Sequence, residues 1–449
     1  MTWIYNIAYS LALLLLSPVI AYRAIKHGRY RRGWREKFFG QLPVATTSET
    51  QPEPKPTVWF HAVSVGEVLQ LPKLISEFQA ATRSQFQPVI TTSTDTGYDL
   101  AVDRFPDFQV TWFPLDFSWA VKTAIRRIQP AAVVLVELEL WPNFLGTCKQ
   151  MQIPTSVINA RISERSFTGY SRFSRIFRPV FQSISLAVAQ SKTYAERLIA
   201  LGCSSESVVV SGNIKFDGVT TDRNNSKTKS LKEILGLKAN ETVFLAGSTQ
   251  ATEEAIALDA WDAARVNFPD LRIILVPRHK ERFQEVASLI RERGYPLVQR
   301  STLNLHTNLL SDSPDYQPVI LLDTIGELSA AWGLADVAFV GGSFGNRGGQ
   351  NMLEPAAYGA AVTFGPNTKN FRDIVKRLLD DDAAVRLDQP QDLTVTLQQL
   401  LANSERCQQL GQNAATCVKQ QQGAIQKTVR KLCQLLGVSP SQAANAARG

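Results

Sequence analysis

Hydrophobic positions along the chain fall into two regimes. Residues 2–22 form one uncharged run rich in Leu, Ile, Ala and aromatic side chains. Beyond residue 56 the apolar residues come instead as short segments of strand length, separated by stretches with helical spacing. Residues 57–63, 88–92, 109–113, 132–136, 155–158, 186–189 and 208–210 read as buried strands, with helices such as 119–128 and 194–201 between them. A second series begins near residue 241, with strands at 243–247, 272–276, 319–322, 337–340 and 361–364. Its helices fall at 253–266, 282–293, 327–333 and 371–379, and residues 393–436 read as largely helical. Strands alternating with helices in this way predict parallel sheets covered on both faces.

The fold class that follows is α/β: two Rossmann-like domains facing a cleft, preceded by a hydrophobic N-terminal anchor. The boundaries are set by polar segments. Residues 1–22 are the anchor and 23–56 a basic flank and linker, ending in the proline-rich LPVATTSETQPEPKP. The first domain covers 57–217, and 218–235 is read as an interdomain linker because DGVTTDRNNSKTKS lacks apolar periodicity. The second domain covers 236–438, and 439–449 is a tail with little to pack.

The apolar run is long enough to cross a bilayer core as a helix. Arg23, Lys26, Arg29, Arg31, Arg32, Arg35 and Lys37 follow it directly. Positive charge on that side predicts that the bulk of the chain faces the cytoplasm. The competing reading is a hydrophobic helix docked on the body of the protein. The 449 residues carry a formal net charge of +8, which points to an acidic partner such as phosphate or anionic lipid. No aromatic-basic nucleic-acid module is present, so nucleic acid is not the expected partner. The five cysteines form no CxxC pair and there are only four histidines, so neither a zinc site nor a disulfide framework is signalled. GxxxxGK[ST] and GxGxxG are both absent, which disfavours P-loop NTPases and the common dinucleotide oxidoreductases.

Polar clusters fall just after predicted strands, where open α/β sheets build their sites. In the first domain these are HAVSVGE, ending at Glu67; ELELWPN, from Glu137; NARIS, from Asn159; and GNIK, ending at Lys215. Glu67 at a helix start can serve as a general base or merely as a carboxylate favoured by the helix dipole. His61 reads as a structural residue. Glu137 and Glu139 at a strand end are costly unless paired or used, and strand alternation would put them on one side. Arg161 and Lys215 are candidates for stabilising negative charge, or for ion pairs between the domains.

In the second domain the clusters are Gly247-Ser248-Thr249-Gln250, Pro277-Arg278-His279, Thr324-Ile325-Gly326-Glu327 and the glycine-rich stretch 335–366, with Gly341, Gly342, Gly345, Gly348 and Gly349. Strand, glycine turn and helix start form an anion-binding arrangement. Backbone amides, Ser248 and Arg278 suit a nucleotide phosphate, and Glu354 suits ribose hydroxyls.

The stretches HAVSVGE, TTSTDTG, FPLD, ELELWPN, NARISERS, GNIKFD, VPRHKERF, GELSAAWGLADVAFVGGS and GGQNMLEPAAYG together carry a resemblance. The chain resembles the 3-deoxy-D-manno-octulosonic acid (Kdo) transferases of lipopolysaccharide assembly, which are membrane-anchored glycosyltransferases of the GT-B fold. The resemblance implies an inverting transfer of Kdo from CMP-Kdo to a phosphorylated, acylated lipid A precursor, with release of CMP. It implies a location at the bacterial inner membrane, among its lipids, with the catalytic domains on the cytoplasmic side, and no metal or other cofactor. Residue by residue, it places the general base on Glu67 and transition-state stabilisation on Glu137 and Lys215. It places donor contacts on Pro277 and Arg278, on Ile325, Gly326 and Glu327, and on Asn351, Met352, Leu353 and Glu354, beside Ser248. Family members commonly carry His where this chain has Gln250 and Gln350, and Pro where Met352 stands. The alternatives are a GT-B enzyme using another nucleotide sugar or acceptor, and a catalytically silent, membrane-tethered nucleotide-binding protein.

Overall fold

The structure, a computed structural model, describes residues 2–27, 31–44, 55–303 and 317–439. Residues 45–54 of the expected linker and 440–449 of the expected tail lie outside the described residues. The chain divides into two compact units, one of Met1–Gly218 with Gln422–Gly449 and the other of Val219–Gln421.

In the first unit the strands are β1 (Thr57–His61), β2 (Gln87–Thr92), β3 (Gln109–Trp112), β4 (Pro130–Val136), β5 (Thr155–Ala160), β6 (Leu186–Ala189) and β7 (Val208–Val210). They form a seven-stranded sheet in the order β3-β2-β1-β4-β5-β6-β7, parallel throughout. All residues of β1 and β5 are buried, as helices on both sheet faces require. Alternation along β1 sends Trp59 to one face, where it packs with Val121, Ile125 and Phe144. It sends Val58 and Phe60 to the other, with Leu74 and Phe78.

In the second unit the strands are β8 (Thr242–Thr249), β9 (Leu271–Pro277), β10 (Leu297–Gln299), β11 (Val319–Leu321), β12 (Val337–Val340), β13 (Ala361–Phe364) and β14 (Ala384–Arg386). Their order is β10-β11-β9-β8-β12-β13-β14, again parallel. In each sheet the chain leaves the first strand towards one edge and later returns to its other side. The strand order therefore reverses between β1 and β4, and between β8 and β12. Such switch points open a crevice at the carboxyl ends of the strands.

Three expectations change. The hydrophobic run is a helix, Thr2–His27, that continues past residue 22 and takes Arg23 and Lys26 with it. The expected linker 218–235 contains a helix, Ser226–Ile234, capped by the Asn225 side chain on Thr228 N. Thr228 Oγ1 donates to the Ala330 carbonyl at 3.1 Å, so this segment belongs to the second unit. Finally, the second unit ends at Gln421 rather than at residue 438. The helix Ala424–Leu435 returns to the first sheet, where Ile425, Val429, Leu432 and Cys433 share a core with Phe60 and Phe78. Asp217 fastens its start by accepting from Gly423 N and Ile425 N, each at 2.6 Å. The short strands β10 and β14 have too few residues to show a period in the sequence.

Because Leu432 is 1% exposed in the first unit's core, Leu432→Ala should destabilise that unit by about 2–5 kcal/mol. Urea unfolding followed by tryptophan fluorescence checks this. An unchanged midpoint would mean that the C-terminal helix is not part of the first unit.

Candidate active site

The loops after β1, β4, β5 and β7 meet at the first switch point, and Glu137 is where they are joined. Its carboxylate accepts from Arg161 Nε at 3.2 Å and from Lys215 Nζ at 3.4 Å. Gln70 Nε2 lies 3.4 Å from the same carboxylate and also donates to Gly66 O at 3.0 Å. Gln70 Oε1 accepts from Asn159 Nδ2 at 2.8 Å, and Asn159 Oδ1 accepts from Ile214 N at 3.2 Å. All four clusters of the first domain thus share one network. Arg161 and Lys215 both pair within the first unit, which corrects the option of ion pairs between domains.

Glu137 has φ +59° and Asn159 φ +51°, both in the left-handed region that non-glycine residues rarely enter. Glu137 N still bonds Ile158 O at 2.9 Å, so the chain turns sharply while remaining tied to β5. Simple strand alternation therefore does not describe Glu137 and Glu139. Residues held in such conformations cluster at functional sites because the surroundings over-determine them.

Glu67 lies in the short helix Val65–Val68 and is buried. Its Oε2 accepts from Val63 N and its Oε1 from Ser64 Oγ, each at 2.8 Å. It makes no ion pair among the described residues. Burial holds its carboxyl above the usual carboxylate range, against those hydrogen bonds, and the charge on Glu137 pushes the same way. Burial, with the charges on Glu67 and Glu137, also lifts Glu139 to about 7. His61 is fully buried, stacked on Phe113 with ring centroids 3.7 Å apart, and burial lowers it to about 3. It is a neutral structural residue.

The second unit gathers its clusters along one rim, at the carboxyl ends of the adjacent strands β11, β9, β8 and β12. Ser248 sits there with φ +55°. Arg278 is exposed, and its N bonds Thr249 O at 3.0 Å. Glu327 pairs with Arg300 at 2.9 Å and accepts from Thr324, while Ile325 and Gly326 are exposed beside it. Asn351 Nδ2 donates to Glu354 Oε1 at 2.9 Å, and burial holds the Glu354 carboxyl above the usual range. Pro277, Met352 and Leu353 are buried, and the Leu353 amide donates to Asn351 Oδ1 at 3.1 Å, so none of the three presents a side chain to the rim.

The glycine-rich loop differs most from expectation. The amides of Gly342, Ser343 and Phe344 donate to the Glu253 carboxylate at 2.7, 3.0 and 3.1 Å, and Gln250 N donates to it at 2.8 Å. This amide cradle already holds an anion, and the anion is the protein's own. Gly341 explains part of the glycine usage: a Cβ there would meet Thr249 Cα at 2.6 Å and Ser248 O at 2.8 Å. Sequence reasoning missed Glu253 and Gln70. Glu253 had a visible signal, an acidic residue opening a helix just after the strand that neighbours the glycine loop.

A family profile described as 3-deoxy-D-manno-octulosonic-acid transferase (kdotransferase) matches residues 32–218. A 3-deoxy-D-manno-octulosonic acid transferase from Haemophilus influenzae is 31% identical over 427 residues, covering 93% of this chain and 96% of its own. The chain belongs to the Kdo transferase family. A further Kdo transferase, from Bordetella pertussis, is 30% identical over 440 residues, covering 96% of this chain and 99% of its own. Among solved structures, a UDP-GlcNAc 2-epimerase from Neisseria meningitidis bound to UDP-GlcNAc is 13% identical, with a TM-score of 0.54 over 84% of this chain and 100% of its own. That likeness shows the GT-B type of fold alone. The matched profile spans Glu67, Glu137, Arg161 and Lys215, the residues that the geometry brings together in this Kdo transferase.

Replacing Glu253 by Ala leaves four backbone amides without their acceptor, in a site where Glu253 is 1% exposed. The loss should be on the order of 3 kcal/mol or more, with Glu253→Gln recovering part of it. Thermal unfolding of the full chain measures this, and equal stability of Glu253→Ala and wild type would show that the carboxylate is not the cradle's anion.

Proposed function

We propose that the chain transfers Kdo from CMP-Kdo to a lipid A precursor with inversion at the anomeric carbon, releasing CMP. The observation that carries this reading is the pairing of two unlike carboxylates at the first switch point. Glu67 is buried, oriented by two donors and free of any ion pair among the described residues, while Glu137 beside it is neutralised by Arg161 and Lys215. A base must be able to take up a proton, and burial makes Glu67 the better acceptor. It would remove the proton from the attacking acceptor hydroxyl as the new glycosidic bond forms and the bond from the anomeric carbon to the CMP phosphate oxygen breaks.

Lys215 and Arg161 supply fixed positive charge within a preorganised network, where it stabilises developing negative charge without reorganisation. Glu137 positions both cations. On the second unit, Arg278 and the exposed amides near Gly326 suit the phosphate and Kdo carboxylate of the donor, and the Asn351–Glu354 pair suits ribose hydroxyls. Pro277, Met352 and Leu353 act in this reading as the buried support beneath the groups that meet the donor. The helix Thr2–His27 and the basic residues at its end support a location on the cytoplasmic face of the inner membrane, where an acylated, phosphorylated acceptor would be met.

Transfer from CMP-Kdo to a tetraacylated lipid A precursor, followed by product mass, tests the reading; no product under conditions where another Kdo transferase works would overturn it. Glu67→Ala should lower turnover by at least ~100-fold while leaving CMP binding nearly unchanged. Lys215→Ala should lower kcat by roughly 100-fold or more. The base works only when ionised, so activity falls as Glu67 takes up its proton. With that carboxyl held high by burial and by Glu137, the acidic limb of kcat/KM should lie above the ordinary Glu range, about 4.3. Residual activity in Glu137→Gln should show this limb displaced to lower pH. A limb that does not move removes Glu67 as the titrating base.

A further inference from the structure

The apolar helix Thr2–His27 contains a 22-residue segment, Tyr5–Lys26, whose length and composition would allow it to cross a bilayer. Its contacts with the first unit say otherwise. Near its start the helix is fastened by polar groups. Asn6 Nδ2 donates to Ser118 Oγ at 2.8 Å, and Asn6 Oδ1 accepts from Ser118 N at 3.0 Å and from Asn143 Nδ2 at 3.1 Å. The Tyr5 hydroxyl reaches the Ile176 carbonyl at 3.4 Å, and Tyr9 sets its ring edge-on to Phe117, with centroids 6.2 Å apart.

Beyond the helix the chain comes back to the same place. Phe38 stacks on the same Phe117 at 6.5 Å, and Trp119 Nε1 donates to Phe38 O at 3.0 Å. Arg32 pairs with Asp99 at 2.6 Å, and Leu115 N bonds Lys37 O at 2.8 Å. Residues 9 and 38 flank the exposed apolar segment and touch one side chain.

A spanning helix would carry residues 5 and 26 to opposite faces of a hydrocarbon layer roughly 30 Å thick. Asn6 bonded to Ser118 and Asn143 keeps the start of the helix on the side of the first unit. Standing the helix on end with its carboxyl end inward would drive Arg23 and Lys26 into hydrocarbon, where charged side chains are strongly disfavoured. The exposure pattern gives the remaining orientation. Tyr5, Asn6 and Tyr9 are half-buried where they meet the first unit, and half-buried Leu13, Ile20 and Ala24 continue that stripe at helical spacing. Leu11, Leu15, Val19, Tyr22 and Ile25 are exposed. The patch continues beside Tyr5 onto the helices Glu164–Arg172 and Ser174–Phe181, with Phe173 and Ile176 exposed among Arg172 and Arg175.

We propose that the helix is an in-plane anchor: it lies in the surface of a leaflet rich in anionic lipid, and its amino-terminal end stays on the same side of the membrane as the first unit. The apolar flank enters the acyl boundary, and the arginines and lysines meet the headgroups. The proposal rests on the membrane-anchor reading given above. It differs from that reading in topology, because a spanning helix with its basic flank on the cytoplasmic side would put its amino-terminal end on the periplasmic side.

The test is a short uncharged tag carrying one cysteine, fused ahead of Met1 of the full chain and expressed in a Gram-negative host. A membrane-impermeant maleimide is applied to intact spheroplasts and to inverted inner-membrane vesicles, with the untagged chain as background. The in-plane anchor predicts roughly 10-fold more labelling in inverted vesicles than in spheroplasts. A membrane-bound chain labelled chiefly in spheroplasts overturns the in-plane proposal and leaves the anchor reading standing. A chain recovered in the soluble fraction at low salt overturns both.

Discussion

The geometry of the first unit depends on the charge at Glu137 being satisfied. This carboxylate sits at the end of a fully parallel, two-sided sheet, at a residue bent into the left-handed region. Without Arg161 and Lys215 it would be an uncompensated anion beside buried strands, which is costly. With them, it draws together the loops after β4, β5 and β7, and Gln70 adds the loop after β1. Apolar residues of these loops, among them Ala62, Leu138, Trp141, Ile162 and Ile214, also pack against the cores on either side of the sheet. Their common position follows from that packing together with the shared hydrogen bonds and ion pairs.

That arrangement gives two neighbouring carboxylates different characters. Glu137 is ion-paired with Arg161 and Lys215 and ties both to the end of β4. Glu67 is buried and accepts from two neutral donors; burial first, and then the nearby charge of Glu137, makes its ionisation harder. The two acids thus differ in environment, one held in ion pairs and the other buried with none among the described residues. Glu139 extends the same logic. It is raised to about 7 by burial first and then by the charges on both of the other carboxylates.

Much of this was legible in the sequence because a parallel sheet makes the rule simple: whatever follows a strand lies on one edge. Glu67, Glu137, Asn159 and Lys215 each follow a readable strand, and the structure joins their loops. Gln70 was not legible, because a polar residue inside a helical stretch reads as solvent-facing, whereas here it is buried by its bonds to Gly66, Glu137 and Asn159. The C-terminal boundary failed for a different reason. Apolar periodicity in residues 424–435 announces a helix with a buried face but not which sheet that face meets. The choice is made by long-range packing against Phe60 and Phe78, with Asp217 clamping the helix start. The linker at 218–235 was misread because a helix of nine residues with only Leu231 and Thr228 buried has almost no apolar signal.

The glycine-rich loop carries the sharpest lesson about inferring a ligand from a motif. Glycines allow several amides to point at one centre, and that geometry attracts negative charge whatever its source. In this chain the source is Glu253, which is buried and receives four amides, so those amides cannot at the same time bind a phosphate. Their effect on a ligand is indirect. By locking the end of β12 against the end of β8, Glu253 fixes the strained Ser248 and the backbone on which Arg278 is hung. Side chains and amides further out on the rim, Arg278 among them, remain open to solvent. A loop that reads as a ligand cradle in sequence is therefore, in the folded protein, a brace that ties the end of β12 to the start of the helix after β8.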